Sequence, residues 1–192
     1  MKIFIDLAGW SIQDEEPLLA WLADEARQES LEIGEVQFVL VGNDEIRELN
    51  EQYLQHEGPT DVITFDFRAE SDAETDESDA DDEAEFDENE TGFGAEPAEV
   101  NSELDDIEDF PDAEIYVSLQ KAHEQAIDFG CTITEEVSRL LLHGILHLAG
   151  WDDDTAAKRR AMNNREDEGL ARAGRGTGVL AWQVNHPVEQ RG

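Results

Sequence analysis

Cysteine is nearly absent. The 192 residues contain one, Cys131, which excludes an internal disulfide. Its residue type predicts a small buried apolar side chain rather than a reactive thiol. Basic residues are also scarce, 13 Lys and Arg against 49 Asp and Glu, for a net charge of -36. A chain this acidic repels polyphosphate at long range, which excludes indiscriminate binding to nucleic acid or anionic membrane. No stretch approaches the roughly 20 apolar residues of a membrane span. The opening run M-K-I-F-I-D-L-A-G-W is broken by Asp6 and does not read as a signal peptide. A soluble cytoplasmic protein is the expectation. The 39% of hydrophobic residues are enough to bury a real core.

The acidic charge is unevenly spread. No Lys or Arg occurs between Arg68 and Lys121, and residues 69–112 hold 21 acidic groups but only six of Leu, Ile, Val or Phe. Such a segment buries too little apolar area to offset its ordering entropy, and its own repulsion extends it. It is expected to be a disordered insertion, acting as a solvated loop or as an acidic shield over a site. The remainder has 28 acidic and 13 basic residues, still acidic but no longer extreme.

Outside that segment, strand and helix patterns are mixed within one core. Residues 2–7, 34–42, 60–67 and 114–118 have strand character. Residues 15–29 carry Leu18, Leu19, Trp21, Leu22 and Ala26 at helical spacing. Asn43 is positioned to cap a helix reaching Leu54, and Ser118 a helix ending at Gly130. Thr132 with Glu135 forms a capping-box pattern before the most apolar helix, which runs to about Ala149. Thr155 to about Ala173 is a polar helix, and 174–192 a flexible tail. The expectation is one α/β (α+β) domain over 1–173, a small mixed sheet packed with about five helices and interrupted by 69–112.

Residues 143–154, H-G-I-L-H-L-A-G-W-D-D-D, carry the chemistry. Four residues apart on a helix, His143 and His147 project from one face, one turn above the other. Gly150 can end that helix in the left-handed conformation and let the chain turn back. Asp153 is the expected third ligand, with Asp152 and Asp154 as local competitors. Two imidazoles and a carboxylate leave an open position, the arrangement of a catalytic zinc. Zinc-bound water can attack phosphorus or a carbonyl near neutral pH. The spacing also matches metzincin proteases, but these need Glu directly after the first His, and here Gly144 stands there.

Together with P-T-D-V-I-T-F at 59–65 and A-E-I-Y-V-S at 113–118, the His motif resembles the YbeY family of bacterial endoribonucleases. The resemblance covers nearly all of 1–170 except the insertion. It implies a compact α/β metalloprotein with its metal at the end of the central helix, cleaving single-stranded RNA. It also implies a role in maturation of the 16S ribosomal RNA 3′ end and in late ribosome quality control. The implied ligands of one Zn2+ are His143, His147 and Asp153. This chain departs from the family pattern in three places. Asp153 stands where a third His is common, Leu54 where an Arg often follows an aromatic residue, and the acidic segment where the loop is usually short.

Arg139, one turn before His143, is the remaining candidate for a phosphate contact; pairing with Glu135 or Glu136 is the competing reading. The six cations from Lys158 to Arg175 form either a basic face for RNA or a solvated helix surface. Trp151 is expected to pack against the turn. The functional expectation is a zinc-dependent single-strand endoribonuclease. Its partners would be ribosomal RNA and ribosome or small-subunit assembly proteins, with no membrane and no DNA. The alternatives are a weakly active or inactive zinc-containing assembly factor and, disfavoured by Gly144, a zinc metalloprotease.

Overall fold

The computed structural model describes residues 1–54, 58–68, 110–174 and 183–185. Four strands form the main sheet: β1 (Lys2–Ile5), β3 (Val36–Val41), β5 (Ala113–Ser118) and β4 (Val62–Asp66), in that spatial order. β1, β3 and β5 are parallel, and β4 closes the sheet antiparallel to β5 as an edge strand. The sheet is therefore mixed, and the α/β fold class stands. Strands β3 and β5 are the apolar runs of the sequence because both of their faces are covered. Phe38, Leu40, Ile115 and Val117 are fully buried.

Five helices pack with this sheet. They are α1 (Glu16–Gln28), α2 (Asn43–Leu49), α3 (Leu119–Phe129), α4 (Ile133–Leu148) and α5 (Ala156–Arg172). Helix α1 turns Leu18, Leu22 and Ala26 inward, one helical stripe. Helix α4 is the centre of the molecule. Val137, Leu140, Leu141, Leu142, Ile145 and Leu146 enter one core cluster with the sheet, α1 and α3. A smaller cluster of Val41, Ile46 and Ile63 lies beneath α2. No helix among the described residues is long and apolar enough to cross a membrane.

Several local expectations hold in detail. Ser118 Oγ accepts the Lys121 N–H, Gly130 takes φ +68°, and Thr132 and Glu135 make both bonds of a capping box. Others change. Gly42, not Asn43, caps α2, and Asn43 Oδ1 instead accepts from Ser118 Oγ at 2.6 Å. The last turn before Leu54 is π-helical, Asn50–Leu54. Within the stretch expected to be a flexible tail, β6 (Gln183–Asn185) pairs antiparallel with β2 (Ser11–Gln13). Three-residue strands are too short for an alternation signal to reveal. Residues 69–109 of the acidic segment lie outside the described residues. Its last residue, Asp112, belongs to the folded part, donating its N–H to the Glu35 carbonyl.

Helix α5 differs most from the expected solvated surface. It buries Met162, Arg165, Glu166, Gly169 and Leu170. Arg165 and Arg172 both bond to Glu25, which is fully buried, and Arg165 also pairs with Glu29. Lys158 pairs with Asp152 and Asp154, and Arg159 donates to the Asp153 carbonyl. Four of the six cations counted as a candidate RNA face are thus engaged by the protein's own groups, Arg165 and Arg172 at the buried Glu25 and Lys158 and Arg159 at the surface. Burial alone would raise the Glu25 carboxyl, yet the bonds from Arg172 and Arg165 hold it below its ordinary 4.5.

A depressed folded-state pKa contributes stability above the unfolded value, which is lost as pH falls through the folded one. Thermal melting is therefore expected to be insensitive to this group at pH 6–7 and to fall as the pH drops below about 4.5. Glu25→Leu should flatten that acid limb. It should also cost about 3 kcal/mol by leaving buried guanidinium charge uncompensated.

Candidate metal and catalytic site

The site is built by the C-terminal end of α4 and the turn after it. Gly150 takes φ +89°, its N–H bonding the His147 carbonyl, and the Trp151 N–H bonds the Leu146 carbonyl. This pair of bonds is a Schellman motif, open to glycine because a Cβ disfavours that conformation. The turn returns the Trp151 carbonyl to 3.1 Å from His147 Nδ1. Trp151 itself is half-buried and donates Nε1–H to Glu29 at 2.8 Å, so it fixes the turn as a packed residue.

The three aspartates then separate by role. Asp152 Oδ1 accepts the N–H groups of Asp153 and Asp154, and its other oxygen meets Lys158 Nζ at 2.7 Å. Asp154 pairs with the same lysine at 3.0 Å. Both are exposed, whereas the half-buried Asp153 lines the cleft that holds the two histidines. That cleft, about 460 Å³, is bounded by His143, His147, Leu148 and Asp153 on one side. Thr60, Asp61, Val62, Ile63, Thr64 and Asp66 at the edge strand β4 form the other. Its lining includes three carboxylates and, among the described residues, no Lys or Arg.

The imidazole tautomers follow from their partners. A carbonyl oxygen only accepts, so His147 Nδ1 carries the proton that reaches Trp151. His143 Nδ1 lies 2.7 Å from Glu166 Oε1, a carboxylate paired to Arg139, so this nitrogen also donates. In the neutral rings both lone pairs then reside on Nε2, and the two Nε2 atoms stand 2.9 Å apart. Two lone pairs facing each other at that distance call for a proton or a cation between them. Burial, and then the His143 neighbour, push the His147 pKa down, which keeps that ring neutral and able to ligate. The donor chemistry fits zinc: two imidazole nitrogens with their outer N–H groups fixed, and a carboxylate in the same cleft. Among the described residues, no three His, Cys, Asp or Glu side chains are already gathered as a metal-holding group.

Arg139 is placed differently from the phosphate contact expected of it. Its guanidinium bridges two buried carboxylates, bonding Glu136 through Nε and Nη2 and Glu166 through Nη1 at 3.1 Å. It lies over the Phe129 ring, 5.6 Å from the centroid, and is absent from the cleft lining. Cys131 is a half-buried free thiol whose pKa is raised, first by burial and then by Glu136 and Glu135, as an inert cysteine's would be.

Two groups of residues escaped the sequence reading. Glu166 lies on a helix that looked merely polar, although Met162, Glu166, Gly169 and Leu170 share one helical face and signal an inward side. Asp61 and Thr64 were noticed only as part of a motif. Asp61 accepts from Val62 N–H at 3.0 Å and Gln125 Nε2 at 2.8 Å, which anchors the start of β4 beside the cleft.

Gly144 explains why a metzincin-type base is missing. A Cβ there would lie 2.6 Å from Ile115 Cγ2, so even an alanine would force Ile115 of β5 to shift and a longer side chain has no room. The position where a protease needs glutamate faces the sheet.

The model of the family described as endoribonuclease YbeY matches residues 12–174. Endoribonuclease YbeY from Brevibacillus brevis is 34% identical over 143 residues, 73% of this chain and 76% of that protein. Endoribonuclease YbeY from Streptococcus agalactiae is 30% identical over 171 residues, 88% and 94% of the two chains. A solution structure of a Thermotoga maritima protein aligns with 90% of this chain and 91% of its own, at 23% identity and a TM-score of 0.47. On the extent of the family match and the identity to these relatives, the chain belongs to the endoribonuclease YbeY family.

Proposed function

We propose that this protein is a zinc-dependent endoribonuclease acting on single-stranded RNA. The observation that carries the metal reading is the Nε2 pair of His143 and His147. The two atoms stand 2.9 Å apart at the cleft, with both Nδ1 protons committed to Glu166 and Trp151. The support for RNA as substrate is the name shared by the relatives. Ribosomal RNA, in particular the 16S 3′ end, and a role in late ribosome quality control with small-subunit assembly proteins, rest on the family resemblance.

In this reading His143 and His147 would hold one zinc, and Asp153, which lines the same cleft, would supply an oxygen ligand. When bound, zinc acidifies a water molecule and offsets charge developing on the phosphate. The chain's own residues do the rest. Glu166 and the Trp151 carbonyl fix the two rings, and Leu148, Val62 and Ile63 supply the apolar part of the cleft wall. On the opposite wall the Thr60 hydroxyl donates to Asp61 Oδ1 at 3.3 Å, and the Thr64 hydroxyl is buried. Asp152 and Asp154 are unsuited to act as general base, since both carboxylates are committed to Lys158 outside the cleft.

Three carboxylates and, among the described residues, no lining Lys or Arg make the cleft itself repel phosphate. At about 0.15 M salt the screening length is roughly 8 Å, so more distant acidic groups matter less than these three. Affinity for free RNA should therefore be weak and depend on the metal, with the ribosome presenting the substrate. The test is an assay of the zinc-loaded protein on a single-stranded RNA oligomer, the matching duplex and casein. Cleavage of the single strand alone is expected. Zinc retained without any cleavage would favour the assembly-factor reading, and digestion of casein the protease.

A further inference from the structure

We infer that Glu166 and Arg139 form a two-residue clamp that orients His143 toward the metal, an inference that rests on the zinc reading above. Glu166 is 2% exposed and spends its two oxygens on different partners: Oε1 meets His143 Nδ1 at 2.7 Å, and Oε2 meets Arg139 Nη1 at 3.1 Å. Arg139 in turn is held by Glu136, also 2% exposed, through two further N–H groups of its planar fork. The guanidinium thus spans one turn of α4 and the facing side of α5, and no other cation is recorded on Glu166 among the described residues.

The chemistry of this arrangement is specific. A buried carboxylate with one oxygen fixed by a bidentate-capable cation cannot swing away from the imidazole. It holds the His143 proton on Nδ1, leaves the lone pair on Nε2, and makes that nitrogen a stronger donor. His147 is held by a neutral carbonyl instead. The two ligands therefore differ: His143 is charge-assisted and His147 is not. Arg139 and Glu166 act as positioning residues, since neither lines the cleft. The clamp also explains why Arg139 is unavailable to phosphate. Its charge offsets Glu136 and Glu166, burial opposes it, and the balance raises its pKa.

The test compares Glu166→Gln and Arg139→Lys with the unaltered protein. Zinc affinity is measured by competition with a chromophoric chelator, melting of the metal-free proteins is followed, and the imidazole N–H protons of the zinc-loaded proteins are observed by NMR. Glu166→Gln should weaken zinc binding about 10- to 100-fold, the usual effect of losing an outer partner of a metal-bound histidine. Arg139→Lys, which keeps the charge but not the fork, should weaken it by a smaller factor. That factor should vanish in the double variant, because Arg139 acts through Glu166. The His143 N–H resonance should move in both variants while that of His147 stays in place. A purely structural role would lower melting but shift neither affinity nor one resonance selectively, and that outcome would overturn the clamp. So would full affinity in Glu166→Gln. If the unaltered protein binds no zinc, the metal reading itself fails, and the two failures are told apart by that control.

Discussion

Replacing His147 with alanine is expected to remove zinc from the purified protein and to lower single-stranded RNA cleavage by about a thousandfold or more. The reasoning is geometric. Helix α4 presents His143 and His147 one turn apart, and the bonds from Glu166 and Trp151 turn both Nε2 atoms to the same point. Removing one ring leaves a nitrogen and a carboxylate, too few donors to hold zinc against water. The fold should survive. His147 is half-buried at the end of α4, and the Gly150 turn is closed by backbone bonds that do not need the imidazole. A melting curve near that of the unaltered protein, together with lost zinc and lost cleavage, is the expected combination. Retained cleavage without zinc would require a different catalytic group.

Gly144→Glu should yield no folded protein. The change that would restore a protease-like sequence, with glutamate after the first histidine, instead drives a side chain into Ile115 of β5. The first added atom would lie 2.6 Å from Cγ2 and 2.9 Å from Cδ1. Overpacking of this kind costs about 1–3 kcal/mol. A carboxylate buried there without a partner adds several more, which together approach the whole stability of a domain. Gly144→Ala, which carries only the clash, should fold but melt lower. Circular dichroism of both variants checks this; a well-folded Gly144→Glu protein would contradict the close approach of α4 and β5.

The difference between what the sequence disclosed and what it concealed has a physical pattern. Helix α4 was legible from end to end, because its apolar positions, capping box and terminal glycine are all local signals. That His143 and His147 share one face was legible for the same reason, the two being four residues apart on that helix. Helix α5 was legible only as a helix. Its inward face is made of Arg165 and Glu166 as well as Met162, Gly169 and Leu170, so hydrophobic periodicity signals its burial only faintly. What compensates the buried charges, Glu25 for Arg165 and Arg139 for Glu166, lies 140 and 27 residues away in the chain. No local pattern encodes such pairings. The strands β2 and β6 were missed because pairing across the length of the chain, not alternation within three residues, defines them.

The scarcity of basic residues takes on a more specific meaning in this light. Most of the cations near the site are spent on the protein's own carboxylates: Lys158, Arg165 and Arg172 on α5, and Arg139 on α4. The cleft is left with Asp61, Asp66 and Asp153 and its two histidines. Among the described residues no Lys or Arg lines the cleft, so a bound metal ion would supply positive charge to meet a phosphodiester there, and the proposed activity should depend on it more steeply than in a cleft lined with arginine.

The most direct test is therefore metal removal and return. The protein is stripped with a chelator, shown by circular dichroism to remain folded, and assayed on single-stranded RNA before and after one equivalent of zinc is added. Cleavage should be absent from the stripped protein and return with zinc, and His147→Ala should not respond. Equal cleavage by the stripped protein and the zinc-loaded one would contradict the account.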